Sequence, residues 1–171
     1  MGASCNGDGV STESPSEFQT TGNDLIGVRL RRLLFSETRG EKNRVVGHVD
    51  GTVSGWLPSE LSDFRNDHGD LAALWHVKFD TDEVGSEDLE EYEVVDAVRR
   101  FRRDTAPGLV GQRLWRLFRG AGELLGEVTG WTEREDLGDV MFHAVFEDGI
   151  TDVISWNDLH DSAACGPNSH A

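Results

Sequence analysis

The chain is poor in cysteine, in basic residues and in long apolar runs. Its 171 residues include two cysteines, Cys5 and Cys165, and both lie in polar segments near the ends. A disulfide framework or a thiolate metal cluster needs several cysteines at close spacing, so neither is expected. No stretch approaches the roughly 18 consecutive apolar residues of a membrane-spanning helix. The opening Met1-Gly2-Ala3-Ser4-Cys5-Asn6 carries no apolar signal core. It only partly resembles an acylation start, because Asn6 stands where Ser or Thr is wanted. A reducing compartment, nucleus or cytoplasm, is the expectation.

Catalytic signatures are missing as well. The sequence has no nucleophile elbow with a Ser/His/Asp order, no phosphate-cradling glycine loop and no HExxH. His143 and Glu147 do not read as a catalytic dyad, and His160, Cys165 and His170 are too loosely spaced for a metal set. A non-enzymatic binding protein is expected, with no catalytic residue, metal or cofactor assigned, and monomeric.

Basic residues number 16 against 32 acidic ones, a net charge of −16. Such a surface repels nucleic-acid phosphates and favours cationic partners such as Lys/Arg-rich peptide tails; solubility alone is the plainer alternative.

What is present is an internal repeat. Leu25-Ile26-Gly27-Val28-Arg29-Leu30-Arg31-Arg32-Leu33 matches Leu109-Val110-Gly111-Gln112-Arg113-Leu114-Trp115-Arg116-Leu117 at six of nine positions. Val46-Gly47-His48-Val49 is then matched with Leu125-Gly126-Glu127-Val128, and Trp75-His76-Val77-Lys78-Phe79-Asp80 with Phe142-His143-Ala144-Val145-Phe146-Glu147. Within each copy the apolar residues alternate, as in Trp75, Val77 and Phe79 or Phe142, Ala144 and Phe146, which is the period of a strand with one face buried. Glu147-Asp148-Gly149 is a hairpin signal, because Asp-Gly supplies the positive φ of a tight turn. The reading is all-β, with two small barrels of short bent strands in tandem and a short helical linker. Residues 1–22 form a disordered tail, 23–95 the first barrel, 96–107 a basic helical linker, 108–162 the second barrel and 163–171 a flexible tail. Val98 and Phe101 are expected to pack the linker between the two modules.

The Leu-x-Gly-x-Arg-Leu start, the glycine-containing strand and the aromatic strand ending in Phe146-Glu147-Asp148-Gly149 resemble the Tudor-like branch of the SH3-like barrels, the Royal family, here in tandem. The resemblance implies a chromatin reader, nuclear, binding a basic peptide such as a methyl-lysine histone tail in an aromatic cage. Ring faces attract a methylammonium, and a carboxylate adds charge attraction. It assigns Phe118, Phe146 and Asp148 to the cage of the second copy and Phe35, Phe79 and Asp82 to that of the first. Trp131 is a candidate extra wall. The sequence departs from the family pattern at Ile150 and Leu124, where aromatics are common, and Val45 is taken as the counterpart of Leu124.

Each assignment has a plainer alternative. Phe146 and Phe79 cap a hydrophobic core, and Trp131 packs between modules. The departures at Ile150 and Leu124 favour a protein–protein adaptor with no cage. Arg99, Arg100, Arg102 and Arg103 form the one basic cluster; local salt bridging is the first expectation for it, with nucleic-acid contact or nuclear import behind.

Overall fold

A computed structural model describes residues 18–36, 44–134 and 139–164. The expectations for residues 1–17 and 165–171 lie outside the described residues. The chain builds two four-stranded antiparallel sheets, each in simple strand order. The first holds β1 (Arg29–Phe35), β2 (Val45–Leu57), β3 (Leu74–Phe79) and β4 (Ser86–Leu89). The second holds β5 (Arg113–Phe118), β6 (Gly122–Arg134), β7 (Asp139–Phe146) and β8 (Thr151–Ser155). Helix α1 (Glu91–Thr105) follows β4, and α2 (Trp156–Ala164) follows β8.

Each copy of the repeat is four antiparallel strands followed by a helix. Leu89 pairs across from Trp75, and Ile154 across from Phe142. Counting on from these, Val94 of α1 and Leu159 of α2 take the same place, and both are fully buried. Helix α1 starts inside the stretch assigned to the first barrel, and α2 was not foreseen. Its start is a reciprocal cap: Ser155 Oγ accepts from the Asp158 N–H at 3.1 Å, and the Asp158 carboxylate accepts from the Ser155 N–H at 3.4 Å.

The two sheets share their irregularities. Gly27 and Gly111 have φ of 82° and 89° and each donates its N–H to the sheet, to Val53 and Val128, at 2.8 Å. Both long strands bulge at one place, between Val53 and Gly55 and between Val128 and Gly130. The hydroxyls of Ser54 and Thr129 each donate to the carbonyl beyond that bulge, at His76 and His143, at 3.2 Å. A bulge re-aims the strand and tightens its twist. The register corrects the second repeat block. Gly51 pairs with Leu30 and Phe79, as Gly126 pairs with Leu114 and Phe146. Gly126 thus corresponds to Gly51, not Gly47, and the matching run is Gly51-Thr52-Val53-Ser54-Gly55-Trp56 against Gly126-Glu127-Val128-Thr129-Gly130-Trp131. Leu124 accordingly corresponds to Val49, not Val45.

Neither sheet closes through backbone pairing among the described residues. The outer strands are instead tied by side chains. Arg32 on β1 grips Glu87 on β4 through two hydrogen bonds of 3.1 and 3.2 Å. At the same place in the second unit Arg116 on β5 ion-pairs with Asp152 on β8 at 3.3 Å.

Each unit has its own core. Leu30, Val53, Trp75, Val77 and Leu89 pack under Val94, Ala97 and Val98 of α1. Leu114, Val128, Phe142, Ala144, Phe146 and Ile154 pack under Trp156 and Leu159 of α2. Helix α1 links the two, because Phe101, one turn beyond Val98, packs on the second core and stands edge-on to Trp156 at 6.2 Å. Arg102 adds a 2.9 Å bond to Asp139 and a 3.2 Å bond to Asn157. Residues 18–22, placed by the sequence in a disordered tail, are seated on β2: Gln19 and Trp56 exchange two backbone hydrogen bonds of 2.8 and 2.9 Å. No helix among the described residues is long and apolar enough to cross a membrane.

Candidate functional site

Of the residues assigned to a cage, the fold brings Phe118 and Phe146 together. Their rings meet at 80° with centroids 4.8 Å apart. Phe146 is only 2% exposed. Its ring lies on Gly126 so closely that a Cβ there would come within 2.6 Å of it. One side of the ring is therefore covered by backbone and its edge by Phe118. Asp148 sits exposed on the turn just beyond, where its carboxylate accepts from the Ile150 N–H at 3.0 Å and Gly149 has φ of 85°. Trp131 pairs across from Phe142, four positions before Phe146 on β7, so about 13 Å separates it from the Phe118–Phe146 pair at ~3.3 Å per residue.

The first unit repeats the plug without the second ring. Phe79 lies on Gly51, with a ring carbon 2.8 Å from where a Cβ would stand, and is half-buried. The register gives Leu34, not Phe35, as the counterpart of Phe118, since Leu34 pairs with Gly47 and Phe118 with Gly122. Phe35 follows a register shift and is 52% exposed. Asp82 is exposed in a longer turn, closed by the Phe79 N–H on the Gly85 carbonyl rather than by the Phe146 N–H on Ile150.

Three of the four arginines in the basic cluster have acidic partners. Arg100 pairs with Asp96 one turn earlier and also donates to the Arg31 carbonyl at 3.3 Å. Arg102 pairs with Asp139 and stacks over Trp156 at 5.7 Å, and Arg103 lies 3.5 Å from Asp104. Arg99 is exposed and has no partner among the described residues.

The site that sequence reasoning missed is the outer face of the second sheet. In the first unit the β1–β2 part of this face is self-paired, while Lys78 on β3 is exposed with no side-chain partner among the described residues. Arg31 holds Asp50 through two bonds of 2.7 and 2.8 Å, and Arg29 holds Asp80 and the Thr52 hydroxyl. The hydrogen bond from Arg31, more than any other effect, holds the Asp50 carboxyl below the usual carboxylate range; that from Arg29 does the same for Asp80. Phe101 and Asp104 of α1 cover this end, with Arg31 stacked on the Phe101 ring at 5.8 Å and bonded to Asp104 at 3.3 Å. In the second unit Trp115 and Leu125 stand where Arg31 and Asp50 pair. The side chains of Arg113, Glu123, Glu127 and Glu147 make no hydrogen bond or ion pair among the described residues. Leu117, Val145 and Val153 on the same face are 74%, 41% and 49% exposed. One groove of about 370 Å³ runs past Arg113, Glu127, Val145 and Glu147, and a second of about 350 Å³ continues it past Thr129, His143 and Val153. The signal for this face was available in the period-2 alternation, but matching Gly126 to Gly47 hid the replacement of Asp50 by Leu125.

Among the described residues no group of three or more His, Cys, Asp or Glu side chains is placed to hold a metal ion. The chemistry of this face is that of a surface: Glu127 and Glu147 line the groove, Glu123 stands exposed on the same face, and exposed aliphatic side chains lie between, an arrangement suited to hold a cation-bearing, partly apolar chain. No family model, curated protein or solved structure matches this chain.

Proposed function

We propose that the chain is a non-catalytic adaptor of two Tudor-like, SH3-like units whose second unit binds a basic peptide on the outer face of β5–β8. The observation that carries this reading is the set of unpaired carboxylates Glu123, Glu127 and Glu147 beside exposed Val145 and Leu117, at a face the first unit neutralises internally. Apolar area supplies affinity, and the carboxylates select a cationic partner and speed its encounter. The net charge of −16 acts in the same direction. The barrel-like reading is supported by the ion pairs that tie the first strand to the fourth in each unit.

A second reading keeps the methyl-lysine histone tail, because Phe118 and Phe146 stand at right angles and Asp148 is exposed beside them. It requires Phe118 to swing away, since Phe146 is covered. Calorimetric titration with lysine-rich peptides, methylated and unmethylated, separates the two. The adaptor reading expects equal affinity for both forms, a steady loss with added salt and no binding after Glu127→Lys with Glu147→Lys. A strong preference for the methylated form, lost in Phe118→Ala, establishes the second reading. Silence from every peptide sinks both.

A further inference from the structure

The two units differ at one edge position that the first fills and that no described segment fills in the second. In the first unit Gln19 pairs antiparallel with Trp56, taking both its N–H and its carbonyl. Phe18 settles over Gly55, where a Cβ would come 3.0 Å from its own Cβ, and its ring leans on His76 at 5.1 Å. The Trp56 indole N–H reaches on to the Thr21 carbonyl at 3.0 Å.

The second unit repeats every receiving part. Gly130, Trp131 and His143 follow the same bulge, in the register of Gly55, Trp56 and His76. The incoming segment is not repeated. The chain enters the second unit from α1, so the residues leading into β5 are helical and supply no extended segment like that of Phe18 and Gln19. A Cβ on Gly130 would meet nothing within 4 Å. Among the described residues no segment outside the β6–β7 ladder bonds to the Trp131 backbone, and its indole N–H has no acceptor.

We propose that Gly130, Trp131 and His143 form a strand-addition slot for an extended partner segment carrying an aromatic residue, held as the first unit holds Phe18 and Gln19. The physical basis is β-augmentation, in which main-chain hydrogen bonds give affinity and one side-chain pocket gives selectivity. An unpaired strand edge is a ready template for such pairing. The glycine leaves room for a ring, and the imidazole offers it a face. The slot does not depend on the basic-peptide reading; it uses backbone and ring contacts rather than the carboxylates.

The test uses the full chain, labelled with ¹⁵N, and a synthetic peptide of residues 15–23 as probe. A free peptide meets an association cost that the tethered segment avoids, so Kd is expected on the order of 1 mM. The amides of Gly130 and Trp131 and the Trp131 indole N–H are expected to shift with saturable curves. A peptide with alanine in place of Phe18 is expected to leave them still. Gly130 is outside the left-handed region, so Gly130→Val fits the backbone while its side chain fills the ring's space. That variant is expected to keep the melting temperature and lose the shifts. The proposal is overturned by an absence of shifts at several-fold ~1 mM peptide, by equal shifts from the alanine peptide, or by equal shifts in a folded Gly130→Val protein. Shifts confined to Gly55 and Trp56 also overturn it, since they mean the probe only displaces its own copy.

Discussion

Arg31 and Trp115 occupy the same place in the two units, as do Asp50 and Leu125. Both pairs stand on one fold with the same bulge, the same positive-φ glycine and the same plug of phenylalanine on glycine. What differs is who satisfies the outer face. The first unit does so internally, with α1 laid over its ion pairs. Among the described residues no helix covers the outer face of the second unit in this way. On the function proposed above, the duplication separates two roles: one copy closes its face with α1, and the other offers its face to a partner. The comparison teaches that a contact surface is recognised here by what the sister copy has and this copy lacks.

The strongest way to break the comparison lies in the core, where the units are expected to differ in degree only. Phe146 is 2% exposed and belongs to the second core, whereas Phe79 is half-buried at the margin of the first. Phe146→Ala is expected to cost about 3–5 kcal/mol, the range for a buried aromatic truncated to leave a cavity, and Phe79→Ala roughly half of that. Urea unfolding of the two variants measures it. A Phe146→Ala protein of undiminished stability means the ring is not a plug and returns Phe146 to the list of contact residues.

The next effect sharpens the contrast between the outer faces. Asp50→Ala removes a half-buried carboxylate that takes two bonds from Arg31 and leaves that guanidinium with Asp104 alone. The loss is expected to be roughly 1–2 kcal/mol after screening. Acid acts by the same route. Asp50 and Asp80 are held below the ordinary aspartate range in the folded chain, by the hydrogen bonds from Arg31 and Arg29 before all else. The unfolded chain therefore binds protons first. The stability these pairs contribute is complete above the unfolded value of about 3.9 and drains away as pH falls through and below it. Amide-exchange protection, taken relative to the intrinsic rate at each pH, is expected to fall in β1 and β2 before β5 and β6 as the pH is lowered from 5 to 3. Equal falls in both units refute the claim that only the first face is self-paired.

Much of the scaffold was legible because burial imposes period two. Leu114, Val128, Phe142 and Phe146 announced one face of each strand, and the Leu-x-Gly-x-Arg-Leu match announced the duplication. Two things stayed hidden for physical reasons. Glycines score alike wherever they stand, so Gly47 passed for Gly51 until hydrogen-bonded register told them apart. Ser155-Trp156-Asn157-Asp158 is a capping box, but with Asp in place of the usual Glu or Gln and directly after a strand it went unread, and α2 went unseen. The covering of Phe146 was hidden for a related reason. Strand alternation gives the side of the sheet to which Phe146 belongs, but not that a glycine opposite lets its ring lie flat and filled.

The smallest stability effect is the most discriminating for function. Glu127 and Arg113 are direct cross-strand neighbours that form no ion pair. Replacing Glu127 by Gln removes a charge that has no ion pair among the described residues, so unfolding is expected to stay within about 0.5 kcal/mol of the parent. At the matching position Thr52 accepts a 3.0 Å bond from Arg29, and Thr52→Val is expected to cost more, about 1 kcal/mol, because a hydrogen bond is lost. The two variants therefore rank in opposite order for stability and for partner binding: Thr52→Val weakens the fold and spares the basic peptide, while Glu127→Gln spares the fold and weakens the peptide. Denaturant unfolding and peptide titration on the same two proteins read both orders at once. If Glu127→Gln loses as much stability as Thr52→Val, the second face is as self-contained as the first, and the carboxylates there are part of the scaffold rather than a surface kept for a partner.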